Sequence, residues 1–258
     1  DVTDPIVPKF LWSISPSQII TGTTITNTTD YQQLGQTWST PKFGKIKNGI
    51  ETKVVAFIGG GYDTSQDSDP PSSDTHGKAV YVVDIANGNK IWGYSSMGYC
   101  VPSDITSIDS LLPTGTNGDN LIDRLYVGDV GGQIWRFDLC SSTTGPCVPD
   151  MSNTGNWTGK RIFTGSGKIF YPPDVTFENN RESSCNSTVF SGTYNMLFFG
   201  TGDREDPNND SSSIVNRLYA VKDYDVLPNP FTTLTESCLT DVTSYGTPVS
   251  TLQSSMGW

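Results

Sequence analysis

The sequence predicts an all-β fold of the β-propeller type, and three observations lead to it. Glycine, proline and small polar residues are abundant beside 11% aromatic residues, a composition typical of short strands joined by turns. A plan of strand, glycine turn and strand recurs three times along the chain. The length of 258 residues suits one large β domain. We therefore expect residues 1–258 to be part of a single β-propeller domain of a longer protein.

The repeated plan gives the order of the predicted elements. Each unit has an apolar strand, a glycine turn and a second strand, at residues 53–58, 59–63 and 79–85, then 124–127, 128–132 and 133–139, then 195–199, 200–203 and 217–221. Each unit ends near an aspartate, namely Asp84, Asp138 or Asp223, and Asp1 matches the same landmark. Because propeller blades need about 40 to 50 residues, the wider spacings indicate an incomplete propeller with long loop insertions at 64–78 and 204–215.

The second strand of the middle unit has a clear alternation. Ile134, Arg136 and Asp138 fall on one face, whereas Trp135, Phe137 and Leu139 fall on the other. We expect the aromatic face to pack against a neighbouring blade.

Charge and cysteine content restrict the partners and the compartment. A net charge of −11 disfavours nucleic acid, and no apolar stretch is long enough for membrane insertion. Five cysteines without metal-finger spacing favour an oxidising compartment, so we expect an exported protein. The candidate disulfides are Cys140 with Cys147 and, with less support, Cys185 with Cys238, which leaves Cys100 for a partner outside this chain.

The sharpest chemical signal is an Asx-rich loop at residues 115–123, immediately before a strand. Calcium prefers several oxygen ligands, and this loop offers Asn117, Asp119 and Asp123 at alternate positions, with the backbone carbonyl of Leu121 between them. The sequence therefore predicts a calcium site, with a solvated Asx-rich turn as the alternative.

Two further positions of this loop qualify the prediction. Asn120 stands where a positive φ is needed, which Asn tolerates after Gly. Gly115 occupies the first ligand position, usually an aspartate, so Thr116, Asp109 or water would have to substitute and the site would be weak.

Other polar and aromatic residues give weaker signals. A second acidic stretch with Asp206, Asn208 and Asp210 could also hold a hard cation. The carboxylates of the first insertion, Asp63, Asp67, Asp69 and Asp74, are expected to be solvated and without a role. The single histidine, His76, is expected at the surface of a loop, and Trp38, Trp92 and Trp135 are expected to pack between blades rather than bind sugars or quinones.

Residues 117–139 closely resemble a signature of the C-terminal β-propeller of the type IV pilus tip-associated adhesin family. In that signature an Asp/Gly-rich loop precedes Asp-Arg-x-Tyr-x-Gly-Asp-x-x-Gly-x-x-Trp-Arg-Phe-Asp-Leu. Segments at 1–5, 35–41, 59–62, 198–202 and 257–258 resemble family landmarks in the same order. The similarity therefore spans nearly the whole chain.

The resemblance implies a function outside the cell. It implies a protein at the pilus tip or outer cell surface that acts in pilus assembly, retraction and surface adhesion, rather than an enzyme. Expected partners are minor pilus-tip subunits and host or abiotic surfaces. The implied calcium ligands are Asn117, Asp119, the Leu121 carbonyl and Asp123, with Gly115 departing from the pattern.

Two alternative functions remain open from the sequence. Residues 83–92 also resemble the repeat of quinone-dependent dehydrogenases, whose propellers are quinoprotein-like, although this chain lacks the adjacent cysteine pair of those enzymes. A purely structural propeller scaffold is the other alternative. Our hypothesis is that calcium in the 115–123 loop orders the adjoining strand and so controls a protein interaction surface.

Overall fold

The computed structural model describes residues 6–67, 73–110, 118–140, 148–178, 181–207, 214–224, 233–243 and 254–258. Within them the chain forms seventeen strands and three short 3-10 segments. The first strands are β1 (Trp12–Ile14), β2 (Gln18–Thr21), β3 (Thr24–Asn27), β4 (Lys42–Asn48), β5 (Glu51–Gly59), β6 (Val80–Asp84) and β7 (Lys90–Tyr94). The middle strands are β8 (Thr106–Ile108), β9 (Arg124–Gly128), β10 (Gln133–Asp138) and β11 (Thr158–Thr164). The last are β12 (Asp174–Glu178), β13 (Ser183–Cys185), β14 (Thr188–Phe190), β15 (Tyr194–Gly200), β16 (Leu218–Tyr224) and β17 (Leu234–Thr235). The 3-10 segments are Thr64–Gln66, Met151–Asn156 and Glu236–Cys238.

Three successive sheets form the main body of the fold. Sheet 1 has the order β4-β5-β6-β7, sheet 2 the order β17-β11-β10-β9-β8, and sheet 3 the order β12-β15-β16. All pairs in these sheets are antiparallel except β11 with β17. A small sheet β1-β2-β3 packs on sheet 1, and β13 pairs with β14. The described sheets do not close into a ring, as expected for a portion of a propeller.

The repeated sequence plan gives the sheets two distinct ends. The chain leaves β5, β9 and β15 through glycine turns, so these turns lie at one end, called here the glycine-turn end. The glycines are required there: Gly61 and Gly132 adopt φ of 98° and 73°, a region that side chains disfavour. The returning strands reach Asp84, Asp138 and Asp223 at the opposite end.

An apolar core joins sheet 1 to sheet 2 and confirms the predicted alternation of β10. Trp135, Phe137 and Leu139 belong to one buried cluster with side chains of β5 and β6. The Phe137 ring meets the Trp92 ring of β7 edge-on, with centroids 5.9 Å apart. Trp92 and Trp135 therefore serve packing, as predicted.

A second core joins sheet 2 to sheet 3 and combines apolar with charged contacts. Its apolar members include Tyr126, Ile134, Phe163, Leu197, Phe199 and Tyr219. On the same face of β10, the Arg136 guanidinium donates to Asp223 Oδ1 over 2.9 Å, and Tyr126 Oη donates to Asp223 Oδ2 over 2.6 Å. Buried ionic groups need such partners, because an unpaired charge in a core is costly.

The carboxylates of the first insertion were predicted to be solvated, and for Asp63 and Asp74 that prediction is wrong. Asp67 is exposed, as predicted, and Asp69 lies outside the described residues. Asp63 accepts hydrogen bonds from the backbone N–H groups of Ser65, Thr75 and His76. Asp74 is buried and accepts from the Cys100 N–H. Both aspartates therefore hold this loop together. His76 has an exposed side chain, as predicted.

The cysteines follow the predicted pairing where the structure describes them. Cys185 and Cys238 form a disulfide that ties the β13–β14 hairpin to the Glu236–Cys238 segment. Cys140 is also disulfide-bonded, and its predicted partner Cys147 lies outside the described residues. Cys100 is a free thiol, but it is fully buried, so the structure does not support the expected partner in another chain.

No helix within the described ranges is long and apolar enough to cross a membrane.

Candidate metal site

The predicted calcium loop lies between β8 and β9, at the end opposite the glycine turns. Of the four predicted ligands, Asp119, Leu121 and Asp123 are described, whereas Asn117 lies outside the described residues, as do Gly115 and Thr116. Asp119 is exposed, and Leu121 and Asp123 are buried. The loop therefore runs from the surface into the protein over five residues.

The backbone of this loop has the predicted turn. Asn120 has a φ of 63°, which confirms the positive φ expected there. Its N–H donates to Asp109 Oδ2 over 2.6 Å, and the Leu121 N–H donates to Asp119 Oδ1 over 3.0 Å. Asp109, at the end of β8, therefore faces the loop from the opposite strand.

Asp123 is the most buried carboxylate of the loop. Its Oδ1 accepts the N–H of Ser110 over 2.8 Å. Burial raises the pKa of Asp123 to about 7, and the nearby carboxylates of Asp109 and Asp138 add to that rise, against the opposing Arg124 charge. A carboxylate in such surroundings gains from a nearby cation.

The chemistry of the donors fits a hard cation, although the described ranges hold only part of a site. Asp109 Oδ1 is buried and has no hydrogen-bond partner among the described residues. One carboxylate oxygen beside the loop is therefore available as a ligand for a cation. Burial and the charge of Asp119 both raise the pKa of Asp109. Across those ranges, however, no three acidic, histidine or cysteine side chains lie close enough together to hold a metal ion. Asp109 is the additional candidate ligand, which the sequence offered only as a substitute for Gly115.

Two neighbouring sheets hold the loop in place. The Ile122 N–H donates to the Lys45 carbonyl of β4 over 2.8 Å, and the Ile122 side chain lies against Gly44. On the other side, the Leu139 N–H donates to the Asp123 carbonyl over 2.8 Å. An ordered loop therefore fixes both the start of β9 and the contact between sheet 1 and sheet 2.

The hairpin that follows the loop is organised by Asp129. Asp129 Oδ1 accepts from the N–H groups of Gly131 and Gln133, and its Oδ2 accepts from Trp135 Nε1 over 2.9 Å. These contacts bend the chain between β9 and β10 and fix the Trp135 indole in the core. The aspartate of this glycine turn therefore has a structural role.

The second acidic stretch gives no support for a second cation site. Asp203 accepts from Lys168 Nζ over 2.8 Å and caps the N–H groups of Glu205 and Asp206. Asn208 and Asp210 lie outside the described residues. Of the three predicted ligands only Asp206 is described, and it is an exposed residue whose side chain is not part of any metal-binding cluster among the described residues.

Trp38 packs in a small cluster of its own, away from the core that holds Trp92 and Trp135. Its ring stacks on Tyr62 with centroids 4.6 Å apart, and Arg204 lies over the ring, 5.7 Å from its centroid. Packing thus accounts for Trp38 as predicted, with a cation beside its ring.

Comparisons with known proteins agree with this fold. The family model of the PilY1 beta-propeller domain matches residues 1–236. Type IV pilus biogenesis factor PilY1 of Pseudomonas aeruginosa strain PAO1 is 25% identical over 210 residues, which cover 78% of this chain and 16% of that protein. The corresponding protein of strain UCBPP-PA14 is 30% identical over 146 residues, or 55% of this chain and 10% of that protein.

A solved structure shows the same fold. The crystal structure of the Pseudomonas aeruginosa PilY1 C-terminal domain matches with a TM-score of 0.60 at 19% identity, covering 91% of this chain and 45% of that one. The chain thus spans only a small part of the curated relatives and less than half of the solved domain. Because the family model covers most of the chain, this protein belongs to the PilY1 beta-propeller domain family.

Proposed function

We propose that this chain is part of a type IV pilus biogenesis factor that acts at the outer cell surface in pilus assembly, retraction and adhesion. The observation that carries the proposal is the match of the PilY1 beta-propeller model to residues 1–236. The curated relatives are named type IV pilus biogenesis factors. Minor pilus-tip subunits and host or abiotic surfaces are the proposed partners.

The proposed regulator is calcium bound in the loop before β9. Asn117, Asp119, the Leu121 carbonyl and Asp123 would hold the ion, with Asp109 as an additional donor. A bound calcium ion would supply positive charge to carboxylates that otherwise repel one another. Asp123 and Ile122 would then hold the loop against β4 and β10, which orders the surface that this end of sheets 1 and 2 presents to a partner.

The affinity should be weak because Gly115 contributes no carboxylate. Extracellular calcium modules of this kind bind with Kd of about 0.1 to 1 mM. At a tenfold excess over Kd, binding should stabilise the fold by about 1.4 kcal/mol. For a domain of this size that corresponds to an increase in Tm of about 3 to 5 °C.

Calcium titration monitored by thermal unfolding tests the loop. We expect calcium to raise the Tm of the wild-type chain and to leave Asp119→Ala unchanged. Glu182→Ala is the matched control, because it removes the same charge from an exposed position outside the loop. Equal melting of wild type and Asp119→Ala with calcium and with chelator would refute the metal claim and favour a purely structural scaffold.

The biological role is tested in the bacterium that encodes the full-length protein. Deletion of the gene should abolish surface pili, and the wild-type gene should restore them. Full-length Asp119→Ala should restore pili without restoring the calcium dependence of adhesion. Normal piliation in the deletion strain would contradict the proposed role, and a stoichiometric quinone in purified protein with dye-linked oxidation would favour the dehydrogenase alternative instead.

A further inference from the structure

Loops from all three sheets meet around one buried phenol at the glycine-turn end. Tyr62, which follows the glycine turn of sheet 1, is 1% exposed. Its Oη donates to Asp67 Oδ1 over 2.7 Å and also contacts Glu205 Oε2. Asp67 belongs to the first insertion and Glu205 to the loop after β15. The phenol therefore connects sheet 1 to sheet 3.

Sheet 2 contributes a lysine to the same junction. Lys168 Nζ donates to the Gln66 carbonyl over 2.6 Å and to Asp203 Oδ2 over 2.8 Å. The lysine side chain is 5% exposed. This cation thus holds the two loops together, but its short ion pair is with Asp203 rather than with Glu205.

Among Tyr62, Asp67 and Glu205 there are too few hydrogen-bond donors to satisfy two ionised carboxylates. A phenol has one hydrogen to donate, and an ionised carboxylate has none. If Asp67 and Glu205 were both ionised, one of them would face the phenol oxygen and the other carboxylate without a donor. Asp67 and Glu205 both reach solvent, but their like charges beside the buried phenol still make the ionisation of both unfavourable. The observed contacts are therefore satisfied when one carboxyl carries a proton.

The surrounding charged groups do not remove this repulsion between Asp67 and Glu205. The charged and titratable groups of the segments that meet at the junction are Asp63, Asp74, His76 and Cys100 from sheet 1 and its insertion, Asp129 and Lys168 from sheet 2, and Asp203, Arg204 and Asp206 from the loop of sheet 3. Asp63 and Asp74 are occupied by backbone N–H groups. Arg204 lies between the rings of Trp38 and Tyr171, 5.7 and 5.6 Å from their centroids.

We propose that the junction of Tyr62, Asp67 and Glu205 is a proton-operated latch between sheet 1 and sheet 3. In the closed form the Glu205 carboxyl donates its proton to Asp67 while the Tyr62 hydroxyl donates to the same pair. When that proton passes to solvent, the two carboxylates repel and the Glu205 loop separates from Tyr62. The latch therefore couples acidity to the spacing of two sheets, independently of the calcium loop.

The direction of the pH response follows from the surroundings of Glu205. Burial raises the pKa of Glu205, and the Asp67 charge adds to the rise, whereas Tyr62 and Lys168 oppose it. A carboxyl whose pKa is raised in the folded state stabilises that state at low pH and loses this contribution as the pH rises through the raised value. The latch is thus closed at low pH and opens as the pH rises through the raised pKa of Glu205.

Hydrogen exchange measured by mass spectrometry tests the latch, with chelator present so that no metal contributes. We expect peptides covering 60–67 and 201–206 of the wild-type chain to lose protection several-fold between about pH 5 and about pH 8, after correction for intrinsic exchange rates. Glu205→Gln keeps a neutral donor to Asp67 and should stay protected throughout. Asp206→Asn, which neutralises the adjacent exposed carboxylate, should behave like the wild type.

Further variants keep the test decisive. Asp67→Asn removes the same repulsion from the other side and should also be protected at both pH values. Tyr62→Phe should lose protection at both, while peptides from β9 and β10 stay protected if the variant is folded. Protection of the wild type that does not change with pH, or a Glu205→Gln variant that still opens, would overturn the proposal.

Discussion

Single buried polar side chains determine how the turns of this protein are built. Asp129 accepts three N–H groups and so fixes both the turn after β9 and the Trp135 indole. Asp63 does the same for the first insertion through Ser65, Thr75 and His76. Carboxylates are well suited to this because each can accept several hydrogen bonds. Acidic residues of this chain are thus in part structural, despite its net charge of −11.

Lys222 illustrates the cost of burying a charge at the residue scale. Its Nζ donates to Ser183 Oγ over 2.8 Å and to the Ser255 carbonyl over 2.7 Å, and it lies 5.7 Å from the centroid of the Tyr194 ring. Burial lowers the pKa of Lys222 to about 8. The unfolded chain therefore binds more protons than the folded chain at pH values above this pKa and below the ordinary lysine pKa.

We expect the free energy of unfolding to rise with pH in that window because of Lys222. The gain should be on the order of 2 kcal/mol between about pH 7 and about pH 10. Urea unfolding at both pH values measures it. Lys222→Met should remove this part of the pH dependence, whereas Lys160→Met, at an exposed position of β11, should keep it. Equal slopes for the two variants would show that Lys222 is not the group responsible.

At the scale of the elements, the sequence predicts the strands well and their irregular contacts poorly. The period-two pattern of β10 assigns Trp135 and Phe137 to one face, because a regular strand alternates its side chains. It does not reveal the register shift between Ile134 and Trp135 opposite β11, since that depends on the partner strand. The roles of Asp63 and Asp74 were missed for the same reason: their partners are brought near only when the insertion folds back.

In the metal loop, too, the sequence predicts the local backbone conformation but not the contacts with neighbouring strands. The positive φ of Asn120 was predicted because local sterics determine it. The hydrogen bond from Asn120 to Asp109 depends on the antiparallel neighbour β8, so sequence spacing could only suggest Asp109 as one substitute among several.

The contact of the loop with β4 leads to a prediction at the element scale. Any side chain at Gly44 would clash with Ile122 and with the Phe57 ring. We expect Gly44→Ala to destabilise the fold by about 1 to 3 kcal/mol, since overpacking a core forces neighbours to move. The measurement is urea unfolding. Gly98→Ala is the matched control, because a Cβ there meets nothing within 4 Å. If both variants unfold alike, Gly44 does not determine how closely the loop packs on sheet 1.

For the whole molecule, the contacts between sheets differ in character from one interface to the next. Sheets 1 and 2 share an apolar and aromatic core. Sheets 2 and 3 share a core that also contains the ion pair of Arg136 with Asp223, whose side chains are 5% and 1% exposed. Apolar contact tolerates small shifts, whereas a buried ion pair requires a fixed geometry. The second interface should therefore be the one more sensitive to single substitutions.

Replacement of Arg136 tests this difference. Arg136 donates to Asp138, Asp223 and the Tyr224 carbonyl, so Arg136→Met leaves the buried Asp223 carboxylate without its cation, whereas Asp138 keeps its pair with Arg124. We expect a loss of about 3 to 5 kcal/mol in the free energy of unfolding. Lys42→Met is the matched control, because Lys42 of β4 pairs with Asp104 at a more exposed position and should cost less than about 1 kcal/mol.

The double variant Arg136→Met/Asp223→Asn separates the two possible origins of that loss. If the cost of Arg136→Met comes from an unpaired buried charge, neutralising Asp223 should restore part of the stability, giving a coupling energy of about 1 kcal/mol or more. The amide that replaces the Asp223 carboxylate still has an oxygen to which Tyr126 can donate, so the remaining network keeps an acceptor. Strictly additive costs would instead show that Arg136 contributes through its packing between sheets 2 and 3, and that the ion pair does not hold these two sheets together.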